Sequence, residues 1–228
     1  MSNADFPLLG YGLNRMPRTV ADQTRRIYDR LALLYPLSTH LFHSRAHRCA
    51  LEQAGLRDGM SILEVATGSG EMFRRLVRLN PSGRTLGLDL SPAMAAKTLR
   101  RVRRAFPGAQ AQCHAVDARS MPFPDGCFDA LVCCYLFELL AIEDIERTLA
   151  EFHRVLRRGG TLALVLIGQD GTLFDRLYRL LGRVAPAMWG RQLDGALREL
   201  ILAREFRIER ERQVRQSGYP SRVIIARK

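Results

Sequence analysis

Residues 62–72 are Ile-Leu-Glu-Val-Ala-Thr-Gly-Ser-Gly-Glu-Met, and this stretch decides the fold. An apolar strand runs into a turn of small residues, and a helix is predicted directly after the turn. Gly68 and Gly70 lack a Cβ atom, so backbone N–H groups of the turn can approach a ligand closely. A second apolar strand over 85–88 ends at Asp89, about 20 residues after the glycines. This order of elements predicts a Rossmann-type nucleotide site, in which the acid accepts hydrogen bonds from ribose hydroxyls.

The glycine pattern differs from the dinucleotide fingerprint. Counted from Ala66 it is Ala-x-Gly-x-Gly, and the third glycine, which brings helix and strand together in NAD sites, is missing. Glu64 stands inside the strand, where a dinucleotide site carries an apolar residue. The run Glu-x-Ala-x-Gly-x-Gly over 64–70 resembles motif I of the class I S-adenosylmethionine-dependent methyltransferases. The resemblance implies S-adenosyl-L-methionine as cofactor and S-adenosyl-L-homocysteine as product.

Four further segments resemble that family in the same order along the chain, and they span 86–94, 116–125, 128–134 and 154–162. In the first of them a strand ends in an acid, and Ser-Pro then opens a helix. Ser91 is a suitable N-cap and Pro92 fits the first helical position. The resemblance covers residues 55 to 170 well, and five segments in the right order indicate the family more strongly than one glycine turn does.

Strands and helices alternate from residue 61 onward, which predicts an α/β fold with a parallel sheet and helices on both faces. Strands are expected at 61–66, 85–89, 111–116, 128–133 and 161–167, with helices at 71–80, 92–105 and 142–156. Two late segments, 206–214 and 222–226, would be strands six and seven. The resulting prediction is a Rossmann-like, seven-stranded, mostly parallel sheet. The resemblance implies that the last strand is antiparallel and inserted between its neighbours.

Two helical regions lie outside this unit. We expect residues 1–54 to form an N-terminal helical lid or substrate segment, and residues 55–228 to form the methyltransferase domain. Residues 172–203 are predicted to be a helical insertion before the last two strands. In the methyltransferase family that the sequence resembles, such regions cover the site and determine substrate specificity.

Composition limits the partners and the compartment. The net charge is +12, which favours anionic partners such as nucleic acid, acidic lipid or acidic substrates. The basic residues are dispersed and no basic tail with interleaved aromatic residues is present, so nucleic acid is not favoured, and peripheral contact with an anionic membrane stays a hypothesis. Five cysteines without metal spacing indicate buried thiols in a reducing cytoplasm, and neither a metal site, a spanning helix nor a secretory signal is expected.

The resemblance assigns cofactor contacts to a set of residues at the strand ends. Asp89 would accept from the ribose, Leu90 would cover one adenine face, and Asp117 with Ala118 would meet the adenine amino group. Cys133 would offer its backbone carbonyl, while Glu64 would order the glycine turn or serve as a structural carboxylate. The complete predicted set is Tyr28, Tyr35, Glu64, Ala66, Thr67, Gly68, Gly70, Asp89, Leu90, Met94, Asp117, Ala118, Cys133 and Cys134.

Tyr28 and Tyr35 resemble the two tyrosines of the family element that precedes motif I. The second tyrosine of that element closes over the cofactor, but the aspartate that normally follows it is Pro36 here. The hydrogen bonding of this lid is therefore in question, and simple packing of both tyrosines in a helix face stays an alternative.

Candidate catalytic residues are Glu138, His43 and Tyr35. Glu138 stands where many relatives carry a histidine that faces the substrate, so it is a candidate base. His40, His43 and His47 share one helical face and offer a second candidate base. No carboxylate completes a metal-ligand set with them. A sulfonium methyl group is already electrophilic, so the chemistry demands placement more than a catalytic dyad.

Ala66 and Glu71 give motif I a form similar to that of the ubiquinone/menaquinone-type C-methyltransferases. This resemblance points to a small or hydrophobic acceptor, quinone-like or lipid-like, that is methylated by in-line displacement. An unrelated secondary metabolite stays open as the acceptor. Two other functions also stay open, an RNA or protein methyltransferase and a non-catalytic cofactor-binding module. Methylation of a nucleic-acid base is not favoured, because the chain has Cys-Cys-Tyr-Leu over 133–136 in place of the Asn-Pro-Pro-Tyr signature. The sequence leaves the oligomeric state open.

Overall fold

The computed structural model describes residues 44–168, 193, 196–215 and 220–228. The strands of this part of the chain are β1 Ser61–Val65, β2 Arg84–Asp89, β3 Gln110–Ala115, β4 Phe128–Cys134, β5 Leu156–Ile167, β6 Arg207–Val214 and β7 Ser221–Arg227. Its α-helices are α1 Ser44–Gln53, α2 Glu71–Leu79, α3 Pro92–Ala105, α4 Ile142–Val155 and α5 Ala196–Ala203. A short 3₁₀ helix, Phe137–Leu139, follows β4.

The strands form one seven-stranded sheet in the order β3-β2-β1-β4-β5-β7-β6. The first five pair in parallel, and β7 lies antiparallel between β5 and β6. The predicted sheet, with its last strand antiparallel and inserted, is confirmed. From β1 the chain first adds strands on one side and then crosses to β4 on the other. The carboxyl ends of β1 and β4 therefore flank a topological switch point, where open α/β sheets bind their ligands.

Helices cover both faces of the sheet, as predicted. The apolar side chains of β1 alternate: Ile62 packs with α1 and α2, whereas Leu63 and Val65 pack in the cluster that includes α4 and α5. Period-two alternation in a strand puts successive side chains on opposite faces, so each face of β1 is buried under its own helical layer. Glu64 shares the face of Ile62, a position that otherwise demands an apolar side chain.

The element bounds follow the sequence prediction closely, with one clear difference. Strand β5 was expected to start at residue 161, but it begins at Leu156, directly after α4 ends at Val155. Leu156 pairs with Phe128 across a register shift, so the Arg-Arg-Gly-Gly segment belongs to the strand as an irregularity. Glycine and charged residues are poor strand formers, and pairing with β4 overrides their local preference.

The predicted lid and insertion lie largely outside the described residues. Helix α1 packs against β7 and β5, and α5 is the described part of the insertion over 172–203. The domain boundary after residue 54 stays a prediction. Within the described ranges, no helix has the length and apolar composition needed to cross a membrane.

Gly87 of β2 lies where neighbouring elements pack closely against the strand. A Cβ atom at residue 87 would lie 2.7 Å from Thr67 Cγ2, 2.9 Å from Phe73 Cε2 and 3.0 Å from Cys113 Sγ. These neighbours come from the glycine turn, α2 and β3, so the missing side chain lets three elements meet above the strand. The position of the turn over the sheet depends on this contact.

We expect Gly87→Ala to lower the free energy of unfolding by about 1–3 kcal/mol, because the added methyl group overpacks this junction. Gly108→Ala is the matched control, since a Cβ atom there has no neighbour within 4 Å in the described part of the chain. The control should stay within about 0.5 kcal/mol of the parent protein. Urea unfolding followed by far-UV circular dichroism measures both, and equal unfolding midpoints for the two variants would contradict the packing argument.

Candidate functional site

The candidate site is built at the carboxyl edge of the parallel strands. Val65 of β1 is level with Leu88 of β2 on one side and with Cys133 of β4 on the other. Asp89 is level with Ala115 of β3. The loops that leave these four strands consequently start side by side, on both sides of the switch point.

The turn after β1 is held in an unusual backbone conformation. Ala66, Gly68 and Gly70 all have positive φ angles, of 63°, 49° and 78°. Glycine adopts this region without penalty, but alanine does not, and strained backbone of this kind clusters at ligand sites. The N–H of Thr67 donates to the carbonyl of Leu88 at 3.0 Å, and the N–H of Gly70 donates to the carbonyl of Thr67 at 2.8 Å. The turn is therefore anchored to β2.

The two glycines of the turn serve different purposes. Among the described residues, a Cβ atom on Gly68 would meet nothing nearer than the Ala66 carbonyl at 4.0 Å, so this residue has an open side there. A Cβ atom on Gly70 would lie 2.7 Å from Thr98 Oγ1 in α3. The close approach of a ligand to Gly68 stays a prediction, whereas Gly70 is needed for packing against α3.

Helix α3 also holds the turn through two side chains. Thr98 Oγ1 donates to the carbonyl of Gly68 at 3.2 Å, and Arg101 Nη1 donates to the carbonyl of Ser69 at 2.5 Å. Both bonds satisfy carbonyl groups that the tight turn leaves without partners in regular structure. The sequence analysis missed both residues.

Asp89, the predicted ribose ligand, faces the glycine turn. Its Oδ2 accepts from the N–H of Gly68 at 2.7 Å, and its Oδ1 accepts from the N–H of Ser91 at 2.9 Å. An ionised carboxylate has about four acceptor positions, so one such group can bind several donors at once. The acid both fixes the glycine turn and begins helix α3, where Ser91 Oγ accepts from the N–H of Met94.

Glu64 is the most deeply buried acid of the site. Its side chain is 1% exposed, and its Oε2 has no hydrogen-bond partner among the described residues. Burial raises the pKa of Glu64 well above its ordinary value, and the negative charge of Asp89 raises it further. A protonated Glu64 carries an O–H donor, so its unpartnered oxygen suits a polar ligand group or a water molecule.

The predicted adenine residues lie in a tight ionic network. The carboxylate of Asp117 accepts from the backbone N–H of Arg119 at 2.9 Å and from its guanidinium at 2.7 Å, while Arg119 also donates to Asp144 at 3.0 Å. Burial favours a raised pKa for Asp117, but the hydrogen bonds and charge of Arg119 outweigh it, and the pKa is lowered. Asp117 is thus present as a fixed carboxylate. Arg119 and Asp144 were not singled out from the sequence.

The two predicted apolar contacts differ in exposure. Leu90, directly after Asp89, is 42% exposed, which is unusual for a leucine beside a buried strand end and suits a residue that covers a ligand face. Met94 is 6% exposed and packs inside the first turn of α3. Leu90 is therefore the better placed of the two for direct contact.

The end of β4 supplies the other side of the site. Burial raises the pKa of the Cys133 thiol well above its ordinary value, and nearby Glu138 and Glu64 raise it further. The thiol of Cys134 is affected in the same direction, by burial first and then by Glu64. A raised pKa keeps both thiols protonated, and a protonated thiol is a poor nucleophile because the thiolate is the nucleophilic form. The backbone carbonyl of Cys133 stays the predicted contact.

Glu138 lies in the 3₁₀ helix after β4 and is 2% exposed. Its Oε1 accepts from the N–H of Ile167 at the end of β5, at 2.5 Å, while its Oε2 has no partner among the described residues. Burial raises the pKa of Glu138 to about 7, against the opposing effect of the Ile167 hydrogen bond. A buried carboxyl that titrates near neutral pH is suited to proton transfer.

Several predicted residues cannot be placed. Tyr28, Tyr35 and His43, together with His40, lie outside the described residues. His47 lies in α1, where it is buried with its ring centroid 6.3 Å from that of Tyr135. Among the residues that the structure describes, no group of three histidine, cysteine or acidic side chains is arranged to hold a metal ion.

The sequence is similar to those of known methyltransferases. A family described as methyltransferase domain matches residues 62–160. The demethylmenaquinone methyltransferase of Thermus thermophilus is 35% identical over 166 residues, which cover 72% of each chain. The ubiquinone/menaquinone biosynthesis C-methyltransferase of Hahella chejuensis is 28% identical over 161 residues, which cover 68% of this chain. That region spans 64% of the Hahella protein, less than two thirds of its length.

Solved structures show the same fold at lower identity. The 1,6-didemethyltoxoflavin-N1-methyltransferase of Burkholderia thailandensis, crystallised with 1,6-didemethyltoxoflavin and S-adenosylhomocysteine, has a TM-score of 0.68. It is 16% identical, and the match covers 94% of this chain and 92% of that one. At this identity the likeness concerns the fold alone.

The raised pKa of Glu138 predicts a specific pH dependence of stability. The pKa of Glu138 is about 7 in the folded chain against an ordinary 4.5. Its favourable contribution to the free energy of unfolding is therefore complete at acidic pH and is lost as the pH rises to 7. Between pH 4.5 and 7 the parent protein should therefore lose about 3 kcal/mol of unfolding free energy relative to Glu138→Gln.

Urea unfolding of both proteins at several pH values measures this difference. Glu199→Gln is the control for the loss of one carboxyl group, since that side chain is 76% exposed on α5. A constant difference for Glu138→Gln would show that the pKa of Glu138 is the same in the folded and the unfolded chain.

Proposed function

The chain belongs to the class I S-adenosylmethionine-dependent methyltransferases, in the branch of the ubiquinone/menaquinone C-methyltransferases, and we propose that it methylates a small, hydrophobic, quinone-like acceptor. The observation that carries this proposal is the pairing of Asp89 Oδ2 with the N–H of Gly68 at 2.7 Å. That bond joins the acid of the second strand to the open side of the glycine turn. The names of the Thermus and Hahella relatives support a quinone-type acceptor.

The residues at the strand ends fit an adenosyl sulfonium ligand. Gly68 has an open side among the described residues, and the Asp89 carboxylate beside it would accept from the ribose hydroxyls. Leu90 would cover one face of the adenine, and the backbone N–H of Ala118 with the carboxylate of Asp117 would meet its edge. Glu64 would offer its unpartnered Oε2 to the amino group of the methionine part, directly or through water.

Arg119 adds a condition to the adenine contact. Its guanidinium already donates to both oxygens of Asp117. We infer that Arg119 holds the Asp117 carboxylate in one orientation beside the adenine edge. The link from Arg119 to Asp144 ties this arrangement to the first turn of α4.

Bound S-adenosylmethionine supplies an electrophilic methyl group, because its sulfur carries a positive charge. The task of the chain is then to align the acceptor atom with the S–CH₃ bond for in-line displacement and to exclude water. When a carbon of a quinol ring is methylated, one C–C bond forms, one S–C bond breaks and one proton leaves the acceptor. We propose that the Glu138 carboxylate accepts that proton, since it is buried after β4 and its Oε2 has no partner among the described residues.

The cofactor assignment is tested by Asp89→Asn. The substitution removes a charge-assisted acceptor, and such a bond contributes about 1.5–3 kcal/mol, so the affinity for S-adenosylhomocysteine should fall about 10- to 150-fold. Isothermal titration calorimetry measures the dissociation constants. Asp125→Asn, in which an acid with an 81% exposed side chain is changed, should bind like the parent protein. An unchanged affinity of a folded Asp89→Asn variant would exclude Asp89 from the site.

The role of Glu138 is tested by the pH profile of turnover. If its carboxylate accepts the proton, kcat/KM for a short-chain demethylmenaquinol should rise through about pH 7 in the parent protein. Glu138→Gln should abolish this rise and lower kcat by roughly 10²–10⁴-fold, while the affinity for S-adenosylhomocysteine stays unchanged. A rise with the same midpoint in the glutamine variant would assign the titration to another group.

A further inference from the structure

The positive charge of the chain is concentrated in one segment. Residues 72–116 contain nine arginine or lysine residues and one acid, Asp89, which gives this segment a charge of +8 out of +12 for the whole chain. Asp89 belongs to the candidate site and faces the glycine turn. The surface that the segment forms is therefore almost free of negative charge.

Helices α2 and α3 pack side by side and display this charge together. We call their solvent side the arginine face, and it consists of Arg78, Lys97, Arg100, Arg101, Arg103 and Arg104. Helix α3 contains no acidic residue, and the single acid of α2, Glu71, is buried and paired with Arg74 and Arg75. Within the described part of the chain, no residue of the arginine face forms an ion pair.

A solvated helix surface explains only part of this arrangement. Arg103 and Arg104 lie in the last turn of α3, where cations interact favourably with the helix dipole. Lys97, Arg100 and Arg101 lie in the middle of the helix and gain nothing from that effect. Their mutual repulsion has a cost that an anionic partner would remove.

The arginine face adjoins the candidate site. Arg101 reaches the carbonyl of Ser69 in the glycine turn, and α3 starts directly after the exposed Leu90. A second exposed leucine, Leu79, follows Arg78 at the end of α2. A partner that contacts Arg101 would therefore lie next to the glycine turn.

We propose that the arginine face docks the protein on an anionic lipid bilayer. Guanidinium groups bind phosphate in a bidentate manner, and Leu79 and Leu90 offer apolar contacts at its ends. The proposal rests on the proposed function in one respect, since a quinone-like acceptor resides in a membrane. Single-stranded nucleic acid is disfavoured, because Phe73 is buried below the face and exposed aromatic side chains for base stacking are lacking on the described surface of α2 and α3.

The test compares two triple variants of the whole chain in vesicle sedimentation. Arg100, Arg103 and Arg104 are changed to glutamine in one, and Arg48, Arg158 and Arg212, which are exposed elsewhere, in the other. Both lose three charges. With phosphatidylglycerol–phosphatidylcholine vesicles at low salt, the first variant should bind about 100-fold more weakly than the parent protein, because each cation near an anionic surface contributes a factor of about five. The second should bind within a few-fold of the parent protein.

Three outcomes would overturn the proposal. The first is an equal loss of vesicle affinity in both variants. The second is binding to vesicles of phosphatidylcholine alone that is as strong as binding to anionic vesicles. The third is salt-sensitive binding of a 30-nucleotide RNA by a chain that does not bind vesicles. The assay needs neither cofactor nor acceptor, so it is independent of the proposed activity. A chain that binds vesicles but not S-adenosylhomocysteine would refute the activity alone, and the reverse result would refute the docking surface alone.

Discussion

The hydrogen bond between the N–H of Gly68 and the carboxylate of Asp89 is the contact on which the candidate site depends. It bridges two parallel strands at the point where both end, and it holds three residues with positive φ within five positions. Such a backbone is stable only when the surroundings determine it. Asp89 holds the turn from the end of β2, and Thr98 and Arg101 hold it from α3. The absent side chain of Gly87 gives Thr67 of the turn room to pack over β2.

The sequence predicts the sheet well because each strand is a short apolar run between turn residues, and each helix has an apolar face. It also predicts Asp89 and Gly68, since a strand that ends in an acid has one geometric place at the sheet edge. Thr98, Arg101 and Arg119 were missed because their roles depend on contacts across folded elements, and threonine or arginine in a helix gives no local sign of them. The early start of β5 was missed because its Arg-Arg-Gly-Gly segment lacks strand propensity and is recruited by pairing with β4.

Two kinds of electrostatic environment lie close together in this fold. Asp117 is surrounded by Arg119 hydrogen bonds, so its pKa is lowered and its charge is fixed. Among the described residues Glu64 and Glu138 have no cationic partner, and burial raises the pKa of both. Carboxyl groups with separate pKa values can perform separate tasks at one pH. The first kind suits recognition of a neutral base edge, and the second suits groups whose protonation changes during a reaction.

The position of Glu64 and Glu138 has a consequence for the charge change in methyl transfer. Both carboxyls lie near the end of β4, where each of them raises the pKa of the Cys133 and Cys134 thiols. Their pKa values would be lower beside a sulfonium cation than beside the neutral thioether that follows it, because an opposite charge stabilises the ionised form. Carboxylates in this position would hold the charged cofactor more strongly than its product. Loss of the positive charge would then raise their affinity for a proton at the step in which the acceptor gives one up.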